Sequence, residues 1–393
     1  MQISTKFFNI IILAILVIGI LLRIFHFVQN NSFYGDEVAL YNNIKNNDFG
    51  MLLKNLDFVQ ACPVFFLIFS KFMYELIKSS TQYNIDLFLR ILPLTCSVVS
   101  IFVFYKFMNL ILINKSDKII AFTLFTLNTQ CIAYSAIFKQ YSLELFISLI
   151  LFIISYNIIL KNIIKLKYII FISISLWFSF SSIFLTIPLL IFLMFKNIKD
   201  FFKVTIPYVV NFFILFIVSL KYILNKTLLE MNFCWDSLDF GYLSFIHPYR
   251  NLIRLGEFFV YGASSPYKII TAFIGLLIIL ALISFIFNKK CSTKEKRLIL
   301  IPILFVFSAS IMKMYPVVVR LILFLYPLFV IIITSYSFKY KKLYLYLMIM
   351  ITIISSLYYV PNLKLTNSDS RNYIEYNKGY LNLKSEEEVL FVY

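Results

Sequence analysis

Acid is scarce in this chain, and so are histidine and glycine. Asp and Glu together number 19 in 393 residues, His occurs only as His26 and His247, and Gly eight times. Two histidines all but exclude a histidine-built zinc centre. The five cysteines, Cys62, Cys96, Cys131, Cys234 and Cys291, show no Cys-x-x-Cys or Cys/His spacing, which argues against a metal site. Cys62 and Cys234 both fall on segments expected to be external, so a disulfide between them stays open. Gly-rich phosphate loops, a G-x-S-x-G elbow and H-E-x-x-H are absent, which disfavours nucleotide-driven chemistry and serine or zinc hydrolysis. Charge of either sign is thin as well. At 14% of residues it falls well below the roughly 25% of a soluble domain.

What fills the chain is apolar. Hydrophobic residues make up 61%, and the mean hydropathy is +0.88. No water-soluble fold of this length hides so much apolar surface, so the expected class is an all-α polytopic membrane protein. The net charge of +17 does not point to nucleic acid, because many lysines sit in short clusters between apolar runs, as topology signals do.

Residues 7–27 form a first span of the length a bilayer requires, uncleaved because no small-residue cleavage site follows. A polar stretch, 29–60, comes next. Residues 63–77 are apolar but short and carry Lys71 and Glu75, which predicts a helix lying in the interface, with a tilted span as the alternative. Further spans are expected over 85–112, 118–134, 141–160, a pair broken near 179–182 within 168–193, then 204–220, 269–287, 298–311, 317–334 and 343–359. The total is about eleven. With the amino terminus inside, five short internal loops hold Lys106, Lys115, Lys118; Lys161, Lys165, Lys167; Lys196, Lys199, Lys203; Lys289, Lys290, Lys294, Lys296, Arg297; and Lys339, Lys341, Lys342, 17 of the 36 basic residues. That is the positive-inside pattern, and it holds only if 63–77 does not span. Residues 1–360 thus read as one transmembrane domain with external loops at 28–85 and 221–268, and 361–393 as a short external tail with a helix near 368–377 and a strand at 388–393.

On this topology the notable ionisable residues collect at the external level. Asp36 and Glu37 open the first loop, Lys139 and Glu144 flank the start of the span at 141, and Lys313 and Arg320 flank the span at 317. Each also has a plainer reading. Asp36 suits the positive end of a helix as a cap, and Lys139 and Lys313 can snorkel to headgroups. Arg320 can pair structurally with an internal acid, and Glu144 can partner Lys139 or Arg320. Taken together, a carboxylate able to accept a hydroxyl proton and fixed cations able to steady a phosphate leaving group suit a donor anchored by a lipid tail.

Four stretches carry a resemblance, and a fifth stands in the place of a family motif. Tyr34-Gly35-Asp36-Glu37-Val38-Ala39 resembles the first-loop Asp-Glu motif of the GT-C membrane glycosyltransferases, in the branch of protein O-mannosyltransferases, the lipid A aminoarabinose transferase and the rhizobial lipopolysaccharide sugar transferases. Gln60-Ala61-Cys62-Pro63-Val64-Phe65-Phe66 stands where that branch often has His-Pro-Pro-Leu-Tyr-Tyr. Leu89-Arg90-Ile91-Leu92-Pro93 is similar to its Arg-Leu-Pro start of the next span. Phe138-Lys139-Gln140-Tyr141-Ser142 resembles its basic-x-Tyr-Ser stretch, and Tyr315-Pro316 with Arg320 and Pro327 its Tyr-Pro…Arg…Pro span. The chain departs from the pattern at Cys62-Pro63-Val64 and at Ala136-Ile137, where Gln-Glu is frequent in the family.

The resemblance implies a GT-C-like helical bundle with juxtamembrane helices in the first external loop. It implies transfer of a sugar, with inversion, from a polyprenyl-phosphate donor to a lipid, glycan or protein acceptor of the bacterial envelope, on the external face of the inner membrane. Asp36 would be the catalytic base with Glu37 beside it, Lys139 and Arg320 the donor-phosphate contacts, and Tyr141, Glu144, Tyr315 and Arg90 supporting residues. No cofactor is required by any motif, and a divalent metal stays open; the partners are the donor, the acceptor and membrane lipids, with no nucleic acid. The competing readings are a flippase or transporter, disfavoured because the charges lie at the outer edge rather than the midplane, and a polysaccharide polymerase or ligase. The latter is disfavoured because the 221–268 loop holds only Arg250 and Arg254.

Overall fold

The computed structural model describes residues 4–29, 33, 35–54, 56–58, 60–222, 241–260, 268–289, 291–335 and 341–362. Tyr34, Cys234, Lys290, Lys339 and the tail with its expected helix and strand lie outside the described residues. Those described form helices and turns without a strand.

The first half runs through α1 (Thr5–Val28), α2 (Asp36–Asn46), the one-turn α3 (Phe49–Leu52), α4 (Val64–Ile77), α5 (Gln82–Leu89), α6 (Ile91–Ile111), α7 (Lys115–Thr126), α8 (Thr129–Ala133) and α9 (Tyr141–Ile159). The second half adds α10 (Leu166–Phe178), α11 (Ile183–Lys196), α12 (Ile198–Leu215) with a π turn to Leu220, α13 (Pro248–Gly256), α14 (Lys268–Phe287), α15 (Thr293–Ile311), α16 (Val319–Ile322), α17 (Tyr326–Thr334) and α18 (Lys341–Asn362). Five helical stretches among the described residues are long and apolar enough to cross a membrane, α1, α5–α6, α9, α12 with its π turn, and α14; the bent pair α7–α8 makes a sixth. The protein is therefore an α-helical membrane protein. The remaining expected crossings take the form of shorter or more polar helices, so eleven is a finer reading than helix length and composition support.

Burial sorts the helices into layers. α17 is apolar all round, and each of its residues is buried, as a helix at the centre of a bundle must be. α9 packs against α6, α10, α11, α15 and the 3-10 turn Leu323–Leu325 that leads into α17. α1 and α12 turn outward instead, with Leu21, Val28, Phe213 and Ile217 more than half exposed. Apolar side chains facing outward over whole helices are what a lipid environment stabilises.

The expected single span over 118–134 is corrected by a 45° bend between α7 and α8. Asn128 accounts for it: its side chain accepts from the Cys131 amide at 3.0 Å and so caps a new helix inside the apolar run. Backbone groups released by the bend need partners where water is absent. Arg23 on α1, fully buried, donates to the Thr126 carbonyl at 2.8 Å, Tyr326 to that of Leu124 at 2.7 Å, and Ser356 to that of Leu127. The same arginine bonds Ser97 at 2.8 Å and so ties α1, α6 and α7 together.

Two ends of the bundle differ in charge. At the α1 start, Lys115 donates to Thr5 at 2.9 Å and Lys341 pairs with Asp117 at 2.9 Å. Two of the basic clusters expected to be internal therefore meet beside the amino terminus. α4 spans only 14 residues, about 21 Å at 1.5 Å per residue, short of the roughly 30 Å hydrocarbon core. Its Lys71 is buried, donating to the Ile44 carbonyl at the end of α2 at 3.0 Å and pairing with Glu75 at 2.8 Å. The charge that interrupts this apolar run is a cap for α2.

α1 and α7 approach at Gly19, where an added Cβ would fall 2.2 Å from Thr126 Cγ2. Gly19→Ala is expected to destabilise the protein in detergent by about 1–3 kcal/mol through overpacking, read as a lowered unfolding temperature. An unchanged transition would contradict the close approach.

Candidate functional site

The site begins with a reversal of the chain. Gly35 adopts φ +38°, a conformation that strains any side-chain-bearing residue, and α2 starts at once with Asp36 and Glu37. Two carboxylates in the first turn complement the positive end of the helix dipole. Adjacent positions on a helix point apart, and here they meet two different arginines.

Glu37 is buried. Its Oε1 accepts from Arg90 Nε at 3.2 Å and Nη2 at 3.0 Å, its Oε2 from Nη2 at 3.2 Å, and Oε1 also from the Phe138 amide at 2.6 Å. Arg90 stands at the junction of α5 and α6, 2% exposed, with its guanidinium 4.8 Å over the Phe33 ring, which stacks on Phe138 at 5.4 Å. The pair is sealed, and it fastens α2 to the start of α6 and to the turn before α9. Glu37 therefore positions its neighbour, and Arg90, expected only as a supporting residue, is what holds it.

Asp36 is open by comparison. Its Oδ2 accepts from Arg320 Nη1, on α16, at 2.9 Å, and both side chains are 27% exposed. Beside them Lys139 is buried and donates to Gln60 Oε1. Burial pushes the Lys139 ammonium below the ordinary lysine range, and Asp36 is the foremost charge opposing that shift. Lys139 is held by a neutral amide, so its charge is not spent on an ion pair.

The two loops behind Lys139 clasp each other. Gln140 Nε2 donates to the Ala61 carbonyl at 3.4 Å and its Oε1 accepts from Cys62 Sγ at 3.5 Å. Cys62 is a free, buried thiol, and burial pushes its pKa up, which makes it a packing group and not a nucleophile. Asn43 holds the loop from below, donating to the Asp57 carbonyl at 3.1 Å and accepting from the Asp57 amide at 2.8 Å.

The remaining expected residues gather one turn deeper. Tyr141 lies within electrostatic reach of Arg320, Asp36 and Glu144, and Tyr315 within reach of Glu144 and Tyr141. Tyr315 donates to the Leu321 carbonyl at 2.8 Å. Of the partners open to Glu144 in the sequence, neither Lys139 nor Arg320 is the one it meets; its Oε2 accepts from Ser181 at 3.2 Å. The two arginines are engaged by α2, and the break after α10 brings a hydroxyl to Glu144 instead. Lys313 sits at φ +57° outside this cluster.

Asp36, Glu37, Arg90, Lys139, Tyr141, Glu144, Tyr315 and Arg320 are thus brought to one end of the bundle. Gln60 and Gln140, which fix the cation and the loops, carry no signal in the sequence beyond their place beside Pro63 and Lys139. Among the described residues no three His, Cys, Asp or Glu side chains gather in a way that would hold a metal ion. Chemically, the arrangement offers a half-open carboxylate able to accept a proton next to two cations able to hold a phosphate. No family model, curated protein or solved structure matches the chain.

Removing either partner of the sealed pair, by Glu37→Gln or Arg90→Met, is expected to cost about 3–5 kcal/mol by leaving a buried charge uncompensated. Replacing both with Met is expected to recover part of the loss. Unfolding in detergent reads all three, and single costs under about 1 kcal/mol would contradict the anchoring role.

Proposed function

We propose that this protein is an inverting glycosyltransferase that moves a sugar from a polyprenyl-phosphate donor to a lipid, glycan or protein acceptor of a bacterial envelope. The observation that carries the reading is the half-open Asp36–Arg320 pair at 2.9 Å beside the buried Lys139. The resemblance of the four motifs to GT-C transferases supports it, since those motifs, 284 residues apart at their extremes of Asp36 and Arg320, converge on one site.

In this reading the donor enters from the bilayer with its phosphate drawn to Arg320 and Lys139. The phosphate competes for Arg320 and leaves the Asp36 carboxylate to the acceptor hydroxyl. Asp36 takes the hydroxyl proton as the oxygen attacks the anomeric carbon from the face opposite the phosphate. The bond from that carbon to the phosphate oxygen breaks, the configuration inverts, and the electron pair leaves on a polyprenyl phosphate steadied by the two cations. Glu37 and Arg90 hold α2 at the right depth.

The proposed topology has eleven crossings, with the amino terminus and the basic clusters in the cytoplasm, α4 in the interface, and the site on the external face of the inner membrane. A transporter or polymerase would not require a carboxylate placed against a phosphate-binding cation pair at one level.

Purified protein incubated with a panel of polyprenyl-phosphate sugars and envelope extract is expected to consume one donor, followed by mass spectrometry. Asp36→Asn is expected to lower that rate by about 10²–10⁴-fold, the usual contribution of a general base. Equal consumption by both proteins would overturn the catalytic role of Asp36.

A further inference from the structure

Charge divides the candidate site into two parts. Asp36 and Arg320 are part-exposed with the buried Lys139 beside them, and the further carboxyl that the described residues bring here is Glu144, in the first turn of α9. Glu144 is 6% exposed. Its Oε2 is bonded by Ser181, and no hydrogen bond to its Oε1 is found among the described residues. Tyr141, three positions earlier and so on the same helix face, is also 6% exposed, and its hydroxyl likewise has no hydrogen bond among the described residues. Two deeply buried polar groups with unused hydrogen-bonding capacity thus lie side by side.

A buried carboxyl with no cation beside it favours its neutral form, which donates as well as accepts, and here a serine stands where a lysine or arginine would hold a charge. The serine itself comes from a break in the fold. α10 ends at Phe178, and the 3-10 turn Phe180–Ser182 presents Ser181 to Glu144 with Ser179 hydroxyl-bonded to Ser181 at 2.9 Å. Aromatic rings surround this pair of groups: Tyr141 meets Tyr134 edge-on at 5.2 Å, and Tyr315 packs on Phe184 at 4.6 Å. A carboxyl and a phenol set among aromatic faces suit a neutral polyhydroxylated ring, whose hydroxyls bond the carboxyl and whose apolar face rests on an aromatic one.

We propose that Glu144, Tyr141 and Ser181 form the subsite that binds the hydroxyls of the donor's sugar, with Glu144 the residue that sets which sugar is accepted. The inference rests on the transferase reading and adds its sugar specificity. The donor is then held at two places, its phosphate by Lys139 and Arg320 and its sugar by Glu144, with the anomeric carbon between them near Asp36.

The test compares two polyprenyl-phosphate hexoses epimeric at one carbon, and polyprenyl monophosphate without sugar, in wild type, Glu144→Gln and Ser181→Ala, each checked for a native unfolding transition. Wild type is expected to prefer one epimer by at least about 10-fold in kcat/KM, in line with leaving a buried hydrogen-bonding group unmatched. Glu144→Gln is expected to bring the ratio close to one while the affinity for polyprenyl monophosphate stays as in wild type. An unchanged epimer ratio in Glu144→Gln overturns the proposal, and so does an equal loss of affinity for the sugar-free phosphate. If Glu144→Gln does not fold, Ser181→Ala carries the same comparison. If wild type transfers neither sugar, the transferase reading fails by itself, and binding decides the subsite. It stands if the sugar adds affinity over polyprenyl monophosphate in wild type and not in the variant, and falls if the sugar adds nothing or adds equally in both.

Discussion

A charge inside a membrane protein must be paired, bonded or exposed, and the structure around α2 follows from that constraint. Asp36 and Glu37 are neighbours in sequence, yet one is sealed and the other half-open. Glu37 is enclosed by the fork of Arg90 and the Phe138 amide, which leaves little for it to do beyond holding position. Asp36 pairs with Arg320 at 2.9 Å at a partly exposed level, where a ligand can compete for it. Sealing and exposure are divided between two adjacent carboxylates by which arginine each one meets.

The same constraint explains the polar atoms deeper in the bundle. The bend after Thr126 persists because Arg23, Tyr326 and Ser356 bond the carbonyls it leaves. The break after α10 is lined by serines that bond one another and Glu144. Irregular backbone at membrane depth is tolerated where protein satisfies it or where it faces a cavity. The first break belongs to the former case. The second is held by its serines, with Ser182 bonding the Ser179 carbonyl and Ser181 bonding Glu144.

Much of the fold was legible from apolar run length alone. α1, α6, α9 and α14 lie where long uncharged runs put them, and the serine-rich interruption of residues 168–193 marked the break between α10 and α11. The bend at Asn128 was not legible, because Leu-Asn-Thr-Gln within an apolar stretch reads as continuous helix, and its partners lie on α1, α17 and α18. In the site, the acid-poor composition made the Asp36-Glu37 pair conspicuous. Their different roles depend on Arg90 and Arg320, 53 and 284 residues away, and no local pattern assigns those pairings. For the same reason the sequence left open whether Glu144 partners a cation, and in the fold it meets Ser181.

The central claim is that Arg320 and Lys139 hold a lipid-linked phosphate while Asp36 restrains Arg320 until the phosphate arrives. The most direct measurement is the affinity of purified protein for polyprenyl monophosphate in wild type, Arg320→Gln, Lys139→Gln and Asp36→Asn. Loss of a charge-assisted contact worth about 1.5–3 kcal/mol predicts roughly 10–100-fold weaker binding for either cation variant. Asp36→Asn is expected to bind the phosphate at least as tightly as wild type, because Arg320 is released. Affinity unchanged in the cation variants, or weakened in Asp36→Asn, would contradict the account.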